Sequence, residues 1–96
     1  MTEDANNPVI KPRDVAQWMF DELKRRRELY QEDAVGDIQR KFGQEFIYTN
    51  SEGGASISKS VLRSFRTITG NDVVWERGAK LWRPRQVPDG PGRQQD

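Results

Sequence analysis

The fold is decided by the stretch ISKSVLRSFRTITGNDVVWERGAKLWR, residues 57–83, which carries a helix pattern followed at once by a hairpin pattern. Ser58 is a preferred N-cap residue, and Ile57 and Leu62 have the spacing of a hydrophobic staple across a helix start. Gly70 is placed to end the helix. Apolar residues recur at helical spacing between these ends, and they predict the buried face: Val61, Leu62, Phe65 and Ile68.

The hairpin is predicted from two β-branched and aromatic runs, residues 73–75 and 79–83. Gly78 suits the left-handed position of a three-residue bulged loop between them. With Gly78 in that position, Trp75 and Trp82 point to opposite faces of the hairpin. We then expect one indole to seal the core, while the other covers a neighbouring side chain or stays exposed for a contact.

Two further helices are predicted upstream. The first spans residues 15–28 with Asp14 as its N-cap, and the second spans residues 32–42 with Gly43 just after its end. Residues 46–49 read as a short strand, because they are aromatic and β-branched and precede a turn. The second and third helices are therefore joined by a loop that contains an additional strand or hairpin.

The ends of the chain are rich in residues that break regular structure. Pro8 and Pro12 punctuate the first segment, so residues 1–12 are expected to be a flexible lead-in. Proline and glycine recur near the other end, so residues 87–96 are expected to be a disordered tail. One α+β domain, residues 13–86, is left between them.

Composition excludes several functions. The chain has 96 residues with neither Cys nor His, so disulfides, cysteine-ligated zinc and His-based catalytic triads cannot occur. No apolar run approaches the roughly 20 residues that cross a bilayer, and the acidic start does not resemble a secretory signal. We therefore expect a cytoplasmic protein that is not an enzyme, with no cofactor, metal, membrane association or small-molecule substrate.

The order of elements is helix, short extended stretch, helix, loop, helix and hairpin, and it resembles a winged-helix domain with the hairpin as the wing. The chain also resembles a small family of uncharacterised bacterial proteins, a domain of unknown function. That second resemblance is carried by scattered motifs: Trp18-Met19, Glu22-Leu23, Leu29-Tyr30-Gln31-Glu32-Asp33-Ala34-Val35, Lys41-Phe42-Gly43, Phe65, Val73-Val74-Trp75 and Trp82-Arg83. The winged-helix resemblance implies DNA binding by the third helix and the wing; the family implies no activity.

Basic residues concentrate in the second half of the chain. Residues 1–52 hold eight Lys or Arg against eleven Asp or Glu, whereas residues 53–96 hold eight against four. Lys59, Arg63 and Arg66 fall within about 60° of arc on the third helix, opposite its apolar face. We predict that these cations and two from the wing bind double-stranded DNA, mainly through its phosphates: Lys59, Arg63, Arg66, Arg77 and Lys80.

Two alternatives stay open from the sequence. The basic stripe is an ordinary solvated helix face in many proteins. Because a basic wing accompanies the stripe here, DNA binding is weighed equally with that interpretation. The other alternative is a non-catalytic protein–protein interaction module, with a protein partner or a second copy of the chain. Its surface would combine an exposed hairpin tryptophan with the loop from Phe46 to Tyr48.

Overall fold

The computed structural model describes residues 9–95, so most of the expected lead-in, residues 1–8, and the last residue of the expected tail lie outside the described part. Within this range the chain forms an α+β fold with three helices and two small sheets. The helices are α1 (Pro12–Arg26), α2 (Gln31–Phe42) and α3 (Lys59–Thr69). The strands are β1 (Leu29–Tyr30), β2 (Ile47–Thr49), β3 (Ala55–Ile57), β4 (Val73–Glu76), β5 (Leu81–Pro84) and β6 (Gln94–Gln95).

The first helix starts earlier than the sequence suggested. α1 begins at Pro12 and its N-cap is Lys11, so Asp14 lies in the first turn and is not the N-cap. Proline is well suited to the first helical position, because its fixed φ matches the helix and its missing N–H would be unpaired there anyway. Asp14 still serves the helix start, since its carboxylate accepts a hydrogen bond from the Lys11 N–H at 2.8 Å.

The buried residues of α3 are spaced four positions apart. Val61, Phe65 and Thr69 are buried, whereas Ile68, which the sequence placed in the core, is 36% exposed. Threonine is tolerated at the buried position because its hydroxyl donates to the Phe65 carbonyl at 2.8 Å, which satisfies its polar atom inside the helix. Ser58 is the N-cap residue, as predicted, and the helix ends at Gly70, whose φ is +54°.

A four-stranded sheet packs beside the helices in the order β1-β5-β4-β6. β5 lies antiparallel between β1 and β4, and Leu29 of β1 is opposite Trp82. This pairing continues into the start of α2, because the Gln31 N–H donates to the Lys80 carbonyl at 2.9 Å. The predicted strand in the α2–α3 loop is also present, as one half of a separate hairpin in which β2 pairs with β3.

The register of the β4–β5 hairpin corrects the predicted loop. Its connection is the four-residue segment from Arg77 to Lys80, and Lys80, with φ of +57°, holds the left-handed position that was assigned to Gly78. The predicted loop paired residue 75 with residue 79, but Trp75 is opposite Trp82. A shift by an odd number of residues moves side chains to the other face. The two indoles therefore lie on the same face, not on opposite faces.

The core lies between α1, α3 and the sheet. Met19 and Leu23 of α1 are fully buried, as is Val61 of α3. Phe65 meets Trp82 edge to face, with 5.4 Å between ring centroids, so the helix and the hairpin are joined by a specific aromatic contact. A second aromatic chain, Trp18–Phe42–Phe46, links α1 and α2 to the turn that precedes β2.

Part of the tail segment forms a strand of the sheet. Gln94 and Gln95 form β6, which pairs in parallel with Trp75 and Glu76 of β4. The Trp75 N–H donates to the Arg93 carbonyl at 2.8 Å, so the tail satisfies backbone groups on the free edge of β4. The sequence could not show this pairing, because glycine and proline deny the segment a local pattern and its partner lies far away in the chain.

Candidate anion-binding surface

The basic stripe predicted on α3 is exposed in the structure. Lys59, Arg63 and Arg66 all face solvent, and α3 contains no acidic residue. Within residues 9–95, none of their side chains forms an ion pair or a hydrogen bond, so their charges are available to a ligand.

Several cations of α1 and α2 are paired with carboxylates. Arg25 and Arg26 of α1 both contact Glu22, and Arg26 also reaches Asp37 of α2 at 3.1 Å. The hydrogen bond to Asp37, together with that to Glu22, raises the pKa of Arg26 against the opposing effect of burial. The charges of Arg25 and Arg26 are therefore neutralised within the fold, whereas Arg63 and Arg66 of α3 have no such partner within residues 9–95.

The five predicted residues border different parts of the surface. Arg63 lines a depression beside Lys11 and Arg13 at the start of α1. Lys80 lines another beside Tyr30, between the β4–β5 loop and the β2–β3 hairpin. The five cations thus lie on one helix and one loop, but Arg63, Arg66 and Lys80 each border a different depression. In the loop, the Arg77 N–H donates to the Gln95 carbonyl at 2.9 Å.

A third depression, which we call the tail groove, lies between α3 and β6 and has a volume of about 300 Å³. It combines aromatic and apolar residues with two arginines: Leu62, Phe65, Arg66, Trp75, Trp82 and Arg93. Gln31 and Gln94 complete its lining, so no carboxylate faces the groove among the residues that the structure describes. An apolar surface with two cations and no anion is suited to a ligand that is both planar and negatively charged.

Arg93 is the residue that sequence reasoning missed. It lies in the segment expected to be disordered, and no local pattern distinguishes it. Its Nη1 donates to Thr69 Oγ1 at 2.9 Å, and its guanidinium lies 5.5 Å from the centroid of the Phe65 ring. Within residues 9–95, neither its Nε nor its Nη2 donates a hydrogen bond. Burial, reinforced by the nearby charges of Arg66 and Arg85, lowers the pKa of Arg93.

The two tryptophans divide the roles that the sequence left open. Trp82 is buried against Phe65, so it seals the core. Trp75 is half-buried; its ring centroid lies 4.7 Å from that of Trp82, and its remaining surface borders the tail groove. The protein-interaction surface predicted from the sequence cannot include Phe46, because Phe46 is buried. In the loop from Phe46 to Tyr48, only Tyr48 is exposed.

Arg83 and Arg85 anchor the tail segment that forms one side of the tail groove. Arg83 contacts Glu76 at 2.5 Å and Asp89 at 2.8 Å. The hydrogen bond from Arg83, more than any other contact, lowers the pKa of Asp89 to about 2. Arg85 donates to backbone carbonyls of Asn71 and Gly90, at 2.6 and 2.8 Å, so the loop before β6 is tied to the end of α3.

Across residues 9–95, we find no group of three or more acidic side chains placed to hold a metal ion. In the same range, no helix combines the length and the apolarity that a membrane span needs.

The fold and this surface define a small α+β domain with a basic helix and a tail that closes one edge of its sheet. The chain belongs to a family of unknown function, DUF6953, whose model matches residues 11–84. The match ends before Arg93, so the family model covers α3 and the hairpin but not the tail side of the groove. No curated protein and no solved structure matches the chain.

Proposed function

We propose that this protein is a non-catalytic nucleic-acid-binding domain whose main ligand is double-stranded DNA. One observation carries the proposal. α3 presents three exposed cations, contains no acidic residue and leaves these cations unpaired within the described residues, whereas Arg25 and Arg26 of α1 and Arg40 of α2 pair with carboxylates.

The arrangement of elements supports this proposal. A helix followed by an antiparallel hairpin, with a short upstream strand against the hairpin, is similar to a winged-helix domain. In such domains the helix equivalent to α3 contacts the major groove and the hairpin contacts the backbone. In this interpretation Arg77 and Lys80, in the hairpin loop, add phosphate contacts to those of α3.

The chemistry of the surface predicts binding with little sequence preference. α3 offers Lys and Arg for phosphates and hydroxyls for further phosphate hydrogen bonds, but it carries no Asn or Gln to read adenine. Affinity should therefore depend strongly on salt, because counterions released from the DNA supply most of the binding free energy.

The test is a fluorescence anisotropy titration of the full chain with a labelled duplex at low and moderate salt. We expect the double variant R63E/R66E to weaken binding to every duplex and to reduce the slope of log affinity against log salt by about 2. The variant R25E/K41E makes the same change in net charge within the acidic half and should bind like the unmodified protein. Duplex binding that is absent at low salt, or equal losses in both variants, would contradict the proposal.

A second candidate is a protein-interaction module, including one that forms a homodimer. It is favoured by Tyr30, 42% exposed, which lines a depression of about 450 Å³ together with Val35 and Ala55. Light scattering separates the two functions. A stable dimer whose formation is blocked by Y30E supports this candidate, and a monomer that binds duplex DNA supports the first.

A further inference from the structure

We propose that the tail groove binds one nucleoside monophosphate unit, either free or at the end of a single strand, with its base against Trp75 and its phosphate between Arg66 and Arg93. The inference rests on the proposed function only for the choice of ligand class. It concerns the tail groove, which shares Arg66 with the α3 cations that would contact a duplex and takes its other lining from outside that set.

The phosphate position follows from the two guanidinium groups. Within residues 9–95, the Arg66 side chain forms no hydrogen bond or ion pair, and Arg93 donates hydrogen bonds only through Nη1. Arg93 is half-buried beside two other arginines, so its positive charge has lost water without gaining a carboxylate. An oxyanion placed between Arg66 and Arg93 would satisfy the free donors and relieve this like-charge repulsion.

The base position follows from the aromatic wall. The ring of Trp75 contacts that of Trp82, and Trp75 also lines the groove that Arg66 and Arg93 line. Exposed indoles stack on nucleobases with little dependence on which base is present. Leu62 and Phe65 add apolar lining to the groove. Gln31 and Gln94 add amide groups that can donate hydrogen bonds to a base edge or accept them from it.

The size of the groove limits the ligand to a single unit. At about 300 Å³ it lies at the lower end of the range for small-molecule sites. It also lacks an acidic side chain among the described residues, which disfavours cationic ligands and cationic peptides. A planar ring carrying one phosphate matches both the shape and the charge.

The test uses the full chain, with calorimetry and tryptophan fluorescence as two independent readouts. The probes are AMP, adenosine and inorganic phosphate. We expect AMP to bind and to quench the indole emission, and we expect each half of the ligand alone to bind at least tenfold more weakly. Phosphate that binds as tightly as AMP, or no AMP binding at millimolar concentration, would overturn the inference.

Matched variants locate the site. R66Q should weaken AMP binding about tenfold, and R63Q, with the same charge change one turn away, should leave it unchanged. W75L should also weaken it about tenfold, without affecting duplex binding. Because R93Q removes a contact to Thr69, its fold is checked by circular dichroism before its AMP affinity is read. Equal AMP affinities for R66Q, R93Q and the unmodified protein would contradict the assignment.

The two proposals fail separately. AMP binding without duplex binding would reject the proposed function and retain the groove proposal. Duplex binding without AMP binding would reject the groove proposal and retain the proposed function. A 5′-phosphorylated single strand compared with free AMP distinguishes the two sources of the ligand. Tighter binding of the strand assigns the groove to strand ends, and tighter binding of AMP assigns it to a free nucleotide.

Discussion

Single side chains hold together separate segments of this chain, and Arg83 is one of them. Its guanidinium lies between Glu76 of β4 and Asp89 of the tail, with its own side chain 19% exposed. Hydrogen bonds to the two carboxylates raise the pKa of Arg83, so it remains charged whenever the chain is folded. Asp89, on the other side of its ion pair with Arg83, carries a carboxylate that acid can protonate.

We predict that Asp89 makes the fold sensitive to acid. Its pKa is about 2 in the folded chain and about 3.9 when unfolded, so the ionised form stabilises the fold above pH 4. That contribution declines as the pH falls from about 4 toward 2. Urea midpoints measured across this range should fall less steeply for D89N than for the unmodified protein. Parallel profiles for the two proteins would show that Asp89 does not take part.

At the scale of elements, the helices and the hairpin were predictable because each has a local signal. Helical spacing of apolar residues and the end residues Gly43 and Gly70 placed α2 and α3 close to their observed ends. The hairpin register was not predictable, because glycine at position 78 favours one turn type while Lys80 takes the left-handed conformation. The tail groove was also hidden, since it joins side chains from α3, β4 and β6 that no short pattern connects.

The observed register gives a second prediction. Because Trp75 and Trp82 are directly opposite and their rings contact, substitution of one should change the effect of substituting the other. A double-mutant cycle with W75L and W82L should show a coupling of about 0.5–1.5 kcal/mol in the free energy of unfolding. W82L should be the more destabilising single change, because Trp82 is only 6% exposed. A coupling near zero in urea unfolding followed by circular dichroism would support indoles on opposite faces.

At the scale of the whole molecule, the tail belongs to the fold although its composition resembles a linker. β6 adds a fourth strand to the sheet, and the carbonyls of Arg93 and Gln95 accept hydrogen bonds from β4 and from the loop after it. Arg85 anchors the loop that leads there through the carbonyls of Asn71 and Gly90. The tail thus completes both the sheet and one wall of the tail groove.

Loss of the Arg85 hydrogen bonds should weaken the pairing of β6 with β4 while leaving the core intact. R85Q removes the charge that bridges these carbonyls, so the amides of Trp75 and Arg77 should exchange with deuterium at least tenfold faster. Core amides such as that of Val61 should be unaffected, because the Arg85 side chain donates to carbonyls outside the core, those of Asn71, Gly90 and Gly92. Unchanged exchange at Trp75 would mean that β6 is held by its own pairing and not by Arg85.

The position of β6 also bears on how this protein behaves at high concentration. Without that strand, β4 would be the last strand of its sheet, and the N–H groups of Trp75 and Arg77 would face outward as a template for another chain. Proteolytic removal of the tail should therefore increase self-association through the exposed edge of β4 and lead to precipitation. Preparations intended for storage or crystallisation should keep the chain intact through Gln95.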